Sequence, residues 1–172
     1  MSAKPAAGGT MPNITLKTLD GDEVGTGGNG KWRLLVVYRG KHCPLCKSYL
    51  GRLEEVKERF TEQGTEILLA SGDPKEKATA SRDEWGLTLP LAYDLSVEQM
   101  QTLGLYVSEP RSPQETDRPF PEPGLFLVNP DGQLQIVDIS NAPFARPDLE
   151  SIAKGLAFIR DKGYPIRGTL GI

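Results

Sequence analysis

The chain has 172 residues, of which 38% are hydrophobic, and a net charge of −3. This length suits one domain with a buried core, and the mixed charges leave no basic stripe of the kind that marks a nucleic-acid interface. No apolar run approaches the roughly 20 residues that a membrane-spanning helix needs. Since the first ten residues also lack an apolar leader, the sequence predicts a cytoplasmic protein that binds neither nucleic acid nor membrane.

The predicted elements alternate between strands and helices. Residues 1–10 are small and polar, which predicts a flexible N-terminus, and 11–19 alternates apolar and polar residues as a half-exposed strand does. The continuous apolar run over 34–38 predicts a strand that is buried on both faces. Apolar residues at steps of four and three predict a helix over 44–63, and 66–71 predicts a second buried strand.

The second half of the chain continues this alternation and closes with a hairpin and a helix. In chain order, the predicted elements are a helix over 73–86, a short strand over 91–93, a helix over 96–103, a loop over 109–123, strands over 124–128 and 133–139, a loop over 141–146 and a helix over 147–162. The sequence at 129–132 is a strong turn between two strands. We therefore predict a single α/β sandwich over 11–163 with a mixed sheet, followed by a tail over 164–172.

The chain contains only two cysteines, Cys43 and Cys46, which stand three positions apart. A stabilising crosslink explains them poorly, because they would close a very short loop. They follow a buried strand and open a helix, where the free N–H groups of the first turn favour a thiolate. Pro44 is well tolerated in a first helical turn, and a protonated His42 could stabilise the thiolate further. The pattern therefore predicts dithiol chemistry.

Two segments resemble the active site of thioredoxin-fold proteins. The segment LLVVYRGKHCPLCKSYL (34–50) is similar to their active-site strand and helix, and EPGLFLVNPDGQL (122–134) is similar to the proline-containing strand and hairpin that face it. The resemblance is greatest to the peroxiredoxin-like members, the alkyl hydroperoxide reductase/thiol-specific antioxidant group. It implies a thioredoxin-like sandwich, with a mixed central sheet flanked by helices, and the activity of an antioxidant-type thiol oxidoreductase.

The resemblance also implies roles for individual residues. Cys43 and Cys46 would form the redox pair, and Pro123 would match a cis-proline beside it, with the cis bond following Glu122. The chain departs from the peroxiredoxin pattern at three positions. Aligned on that pattern, Cys46 takes the peroxidatic position, Arg39 replaces a proline, Cys43 replaces a threonine, and Pro123 stands near the place of an arginine. Arg39 lies just before the pair and could supply the missing charge.

The resemblance allows two assignments of the cysteine that attacks the substrate. In a thioredoxin-like mechanism Cys43 attacks and Cys46 resolves, whereas in a peroxiredoxin-like mechanism Cys46 attacks a peroxide and passes through a sulfenic acid. Helix geometry favours Cys43, which is nearer the helix terminus. The substrate would be a peroxide or a disulfide, and the reductant an external thiol of the thioredoxin or glutathione type. A homodimer is a further expectation, because related folds often dimerise.

Other interpretations of the pair remain open. There are three alternatives to a peroxide-reducing enzyme: a protein disulfide reductase without peroxidase activity, a non-enzymatic redox sensor or adaptor, and a domain that binds a partner without using its thiols. Structural zinc needs four ligands, and two cysteines with one histidine supply too few. We therefore expect neither a metal nor a cofactor.

Overall fold

The computed structural model describes residues 3–171, and its central feature is a mixed sheet of seven strands. The elements are β1 Thr15–Thr18, β2 Glu23–Gly25, β3 Trp32–Val37, α1 Pro44–Thr61, β4 Thr65–Ala70, α2 Lys75–Trp85, β5 Leu91–Tyr93, α3 Val97–Thr102, β6 Val107–Ser108, β7 Phe120–Pro121, β8 Gly124–Val128, β9 Leu134–Ile139 and α4 Leu149–Lys162. The strand order is β2-β1-β5-β4-β3-β8-β9, and β6 and β7 form a separate pair. This architecture confirms the predicted mixed sheet flanked by helices.

The middle of the sheet is apolar on both faces because helices cover both sides. Strand β3 runs parallel to β4 and antiparallel to β8. Leu34 and Val36 belong to a buried cluster with residues of α1 and α4, whereas Leu35 and Val37 pack on the opposite face with residues such as Met100 of α3. Each buried aliphatic side chain of this size contributes about 1.5–3 kcal/mol to folding. The core therefore fixes the end of β3 and the start of α1.

The N-terminal segment differs from the sequence prediction. We expected residues 1–10 to be flexible, but residues 3–10 lie along the domain. The backbone N–H of Gly8 donates to the carbonyl of Leu134 at 2.8 Å, and the Leu134 N–H donates to the carbonyl of Gly9 at 2.9 Å. The composition of the segment did not reveal this, because backbone groups rather than apolar side chains make these contacts. The first two residues lie outside the described part of the chain.

The predicted loop over 109–123 is also shorter than expected. Its last part forms β7, which pairs antiparallel with β6 so that Val107 lies opposite Pro121 and Ser108 lies opposite Phe120. Strands of two or three residues are too short to show alternation, so no local pattern indicates this hairpin. Strand β2 was missed for the same reason. The hairpin matters because it carries the chain into β8 next to the cysteines.

The end of the chain follows the prediction more closely. Helix α4 begins after Asp148, whose carboxylate accepts a hydrogen bond from the Ser151 N–H, and it ends at Gly163, which has a φ of 63°. Residues 164–171 form no regular element. No helix within residues 3–171 is long and apolar enough to cross a membrane.

Candidate dithiol active site

The turn between β3 and α1 requires a glycine just before the cysteines. Gly40 has a φ of 142°, and a Cβ at this position would lie 2.7 Å from Oδ1 of Asp73. That buried carboxylate also accepts a hydrogen bond from the Lys41 N–H at 2.8 Å, and burial raises the pKa of Asp73. The carboxylate and the glycine together hold the turn against the end of β4, so the cysteines that follow have a fixed position.

Cys43 caps the N-terminus of α1. Its backbone is extended, and its Sγ accepts a hydrogen bond from the Cys46 N–H at 3.2 Å. Serine or aspartate usually fills this place, and a sulfur here lies at the positive end of the helix dipole. Pro44 occupies the first turn, as predicted. The hydrogen bond from the Cys46 thiol, together with the Arg39 guanidinium, lowers the pKa of Cys43 to about 6.

Cys46 lies one turn further along α1 and is fully buried. Burial raises the pKa of its thiol far above the ordinary value, and the neighbouring Cys43 adds to the rise. Arg146 opposes this effect, because its Nη1 donates to the Cys46 Sγ at 3.4 Å. At neutral pH the pair therefore holds one anionic sulfur, at Cys43, and one neutral thiol, at Cys46.

Arg146 was not among the site residues predicted from the sequence. It lies 100 positions from Cys46, in the segment that we interpreted only as a loop. Its guanidinium lies 4.5 Å from the ring centre of Tyr49, and the Tyr49 hydroxyl donates to the carbonyl of Pro147 at 2.7 Å. Tyr49 therefore holds both the arginine and the chain that carries it, a long-range arrangement with no local sequence signal.

Arg39, which stands just before the turn that carries Cys43, forms an ion pair with the buried carboxylate of Glu122. Its Nε lies 3.0 Å from Oε1 of Glu122, a charge contact that is not aligned as a hydrogen bond. The guanidinium also lies 4.8 Å from the ring centre of Phe120, and the other carboxylate oxygen accepts a hydrogen bond from the Ser108 hydroxyl at 2.6 Å. The sequence suggested that Arg39 supplies charge to the site, but it gave no indication of Glu122.

His42 lies on the side of the site that faces the 109–119 loop. Its ring meets Phe120 edge-on, with 4.6 Å between the ring centres, and neither ring nitrogen has a hydrogen-bond partner within residues 3–171. Burial and the charge of Arg39 lower the pKa of His42, so the imidazole is neutral at pH 7. A charged His42 therefore does not explain the thiolate, and the sequence-based suggestion is corrected on this point.

Pro123 is buried next to the site but does not follow a cis bond. Residues 3–171 contain no cis peptide bond, so the cis bond implied by the resemblance is wrong. The Glu122 N–H donates to the carbonyl of Tyr106, and the Pro123 carbonyl accepts from the Ser140 N–H. These bonds carry an extended chain from β7 into β8. Pro123 and Arg146 line the same narrow crevice, which has no room for a water molecule.

The functional groups at the site determine which chemistry it can perform. Among residues 3–171, no group of three or more histidine, cysteine, aspartate or glutamate side chains could hold a metal ion. The groups that are brought together are two free thiols and two arginines. This set suits thiol redox chemistry at sulfur, with the arginines stabilising negative charge.

Comparison with known proteins agrees with this chemistry. The model of the AhpC/TSA family matches residues 7–137. The thiol-disulfide oxidoreductase ResA of Geobacillus kaustophilus is 25% identical over 146 residues, which cover 84% of this chain and 75% of the relative. Peroxiredoxin tpx1 of Schizosaccharomyces pombe is 27% identical over 124 residues, which cover 68% of this chain and 60% of the relative.

Solved structures show the same fold. AhpC of Mycobacterium tuberculosis matches with a TM-score of 0.75 and 15% identity, covering 95% of this chain and 97% of that one. A peroxiredoxin-like protein from Aquifex aeolicus matches with a TM-score of 0.76 and 13% identity, covering 90% and 88%. Because the family model spans well over half of the sequence, the chain belongs to the AhpC/TSA family and is a thiol-dependent oxidoreductase with a peroxiredoxin-like, thioredoxin-type fold.

Proposed function

We propose that the protein reduces small peroxides or disulfides by cycling Cys43 and Cys46 between a dithiol and a disulfide, with Cys43 as the nucleophile. One observation carries this proposal: the Cys43 sulfur caps α1 and accepts the Cys46 N–H at 3.2 Å. A thiolate is the reactive form of cysteine, and this position stabilises it. Cys46 stays protonated on the same face and is ready to resolve the product.

With a peroxide as substrate, the Cys43 thiolate attacks one oxygen of the O–O bond. A sulfur–oxygen bond forms, the O–O bond breaks, and the leaving oxygen takes a proton to become an alcohol or water. The Cys46 thiol then attacks the sulfenic acid, so that a disulfide forms and water leaves. An external thiol supplies the two electrons that restore the dithiol.

With a disulfide as substrate, the same thiolate attacks one sulfur and forms a mixed disulfide. The other substrate sulfur leaves as a thiolate, and Cys46 then displaces the second sulfur as it loses its proton. Both routes end in the same Cys43–Cys46 disulfide. They differ in how large a substrate must reach Cys43.

Burial favours the smaller substrate. The relative exposure is 1% for Cys43 and 0% for Cys46. A hydroperoxide needs little space beside the sulfur, whereas a disulfide on a folded protein needs the turn to open before its sulfur can reach Cys43. We therefore place peroxides and small disulfides ahead of protein disulfides, and we propose that the reductant, of the thioredoxin or glutathione type, acts after local opening of the turn.

A second candidate assigns the attack to Cys46. The contact between Arg146 and the Cys46 sulfur favours it, because a guanidinium stabilises a thiolate. In that mechanism Cys46 becomes the sulfenic acid and Cys43 resolves it. The raised pKa of Cys46 argues against this order, since little thiolate would form there at neutral pH. The cytoplasmic location and the homodimer stay predictions in either case.

Stopped-flow oxidation by hydrogen peroxide tests these assignments on the reduced wild type, Cys43→Ser and Cys46→Ser. Fast oxidation that survives in Cys46→Ser but is lost in Cys43→Ser supports Cys43 as the attacker, and the opposite result supports the second candidate. Absence of oxidation in all three would contradict peroxide reduction and leave small disulfides as substrates. Repeated turnover with a thiol reductant separates an enzyme from a sensor that reacts once.

A further inference from the structure

We propose that Glu122 is a positioning residue, whose buried carboxylate holds the Arg39 guanidinium against Cys43, so that the β6–β7 hairpin controls the reactivity of the nucleophile. This inference deepens the proposed function and rests on Cys43 being the attacking sulfur. No contact joins Glu122 directly to either cysteine. Its effect therefore passes through Arg39.

The contacts leave Arg39 little freedom. The side chain of Glu122 is 5% exposed and that of Arg39 is 18% exposed, with 3.0 Å between Oε1 and Nε. The Phe120 ring supports the guanidinium from one side. A buried charge needs a partner of opposite charge, and Glu122 is the carboxylate that contacts Arg39 within the described residues.

The carboxylate is itself held by the hairpin. Its second oxygen accepts the Ser108 hydroxyl at 2.6 Å, and its backbone N–H donates to the carbonyl of Tyr106 at 2.8 Å. Ser108 belongs to β6, and Glu122 directly follows β7. Ser108, Glu122 and Arg39 thus form a continuous chain of contacts from the hairpin at the ends of the 109–119 loop to the turn that carries Cys43. At the end of that chain, the positive charge of Arg39 lowers the pKa of Cys43.

Other charged or titratable groups also surround the turn. They include Cys46 on α1, His42 in the turn, Asp73 after β4 and Arg146 before α4. Lys77 of α2 and Arg111 and Glu115 of the 109–119 loop also act on His42. None of them contacts the Glu122 carboxylate in the described structure. An effect of Glu122 on the sulfur can therefore be separated from the effects of these groups.

The direction in which the pKa of Cys43 changes when Glu122 is removed distinguishes a positioning role of Glu122 from a direct effect of its charge. If Arg39 stayed in place without Glu122, removal of a nearby negative charge would lower the pKa of Cys43. If Glu122 holds Arg39 in place, its removal lets the guanidinium turn away from the sulfur, and the pKa of Cys43 rises. Because a cation within a few ångströms shifts a pKa by about 1–3 units, we expect Glu122→Gln to raise that of Cys43 by about one unit, which is a roughly tenfold loss of thiolate relative to thiol.

The experiment measures alkylation by iodoacetamide against pH, with peptide mapping to follow Cys43 alone. The variants are Glu122→Gln, Ser108→Ala and Arg39→Gln, and Glu109→Gln is the matched control because this exposed carboxylate lies next to β6. We expect the pH midpoint of Cys43 alkylation to rise in Glu122→Gln and Arg39→Gln, to rise least in Ser108→Ala, and to stay unchanged in Glu109→Gln. A lowered or unchanged midpoint in Glu122→Gln would overturn the proposal.

A double variant, together with Ser108→Ala, keeps the test decisive. In the Arg39→Gln background, Glu122→Gln should move the midpoint no further, and an additional shift would show that the carboxylate acts without the arginine. If Glu122→Gln alone does not fold, Ser108→Ala decides, and an unchanged midpoint there overturns the inference. Failure of the proposed function would look different: turnover of peroxide and disulfide would be absent in the wild type, while the Cys43 midpoint would still respond to these substitutions.

Discussion

Replacing each cysteine in turn by serine isolates the two thiols and tests whether their acidities differ as the site geometry requires. Cys46→Ser keeps a hydroxyl that can donate to the Cys43 sulfur, so the lowered pKa of Cys43 should persist near 6. Cys43→Ser leaves Cys46 buried beside Arg146. Burial, the main cause of its raised pKa, is unchanged by the substitution, so Cys46 should titrate above the ordinary value of about 8.5.

The rate at which Cys43 is alkylated should exceed that of an ordinary thiol by a factor that depends strongly on pH. At pH 6 a thiol with a pKa of about 6 is about half ionised, whereas one with a pKa of about 8.5 is about 0.3% ionised, a gain of roughly 150-fold in thiolate. A less basic thiolate is also a weaker nucleophile, which removes about 10- to 20-fold of that gain. The net acceleration is therefore about tenfold at pH 6, and it almost vanishes near pH 7.5.

The assay is the rate of iodoacetamide alkylation of each variant between pH 4.5 and about 10, with thiolate absorbance at 240 nm as a second measure. We expect a midpoint near 6 for Cys46→Ser. Cys46→Ala, which lacks the hydroxyl donor, should have a higher midpoint than Cys46→Ser, because the hydrogen bond from residue 46 is the largest cause of the low pKa. A lower midpoint for Cys46 than for Cys43 would refute the assignment of the nucleophile.

Three other substitutions test the frame of the site. Gly40→Ala places a Cβ 2.7 Å from a buried carboxylate at a position with a positive φ, so urea denaturation should show a free energy of unfolding lowered by about 1–3 kcal/mol. Gly51→Ala is the matched control, because a Cβ there meets no atom within 4 Å, and it should raise the free energy of unfolding by about 0.5–1 kcal/mol. Tyr49→Phe removes a buried hydrogen bond and should lower the free energy of unfolding by about 1–2 kcal/mol; unchanged stability would contradict the role given to its hydroxyl. Arg146→Gln removes a charge that lowers the pKa of Cys46, and quenched-flow trapping should show disulfide formation slowed about three- to tenfold at pH 7.

The parts of the fold that the sequence predicted well are those with strong local patterns. The apolar runs over 34–38 and 124–128 became central strands, and the helix predicted over 44–63 is Pro44–Thr61. Its start was predictable because a proline in the first turn and a thiol at the cap are both local features. The chemistry of the pair followed from the same few residues.

The elements that were missed depend on backbone contacts between distant segments. The N-terminal residues bond to the start of β9, and the short strands β6 and β7 bond to each other across the 109–119 loop. Neither segment has an apolar periodicity that would distinguish it from a loop. Their composition, rich in proline and small polar residues, therefore predicted flexibility where hydrogen bonds impose order.

At the site, arginines from other parts of the chain supply positive charge that the departure from the peroxiredoxin pattern removes. Pro123 stands near the place of the family's arginine, yet two arginines reach the cysteines from other parts of the chain: Arg39 lies beside Cys43, and Arg146 donates to Cys46. Each sulfur thus has its own cation. Because Cys43 also caps a helix while Cys46 is buried, equal numbers of cations still leave unequal acidities, and this inequality supports the proposal that Cys43 attacks and Cys46 resolves.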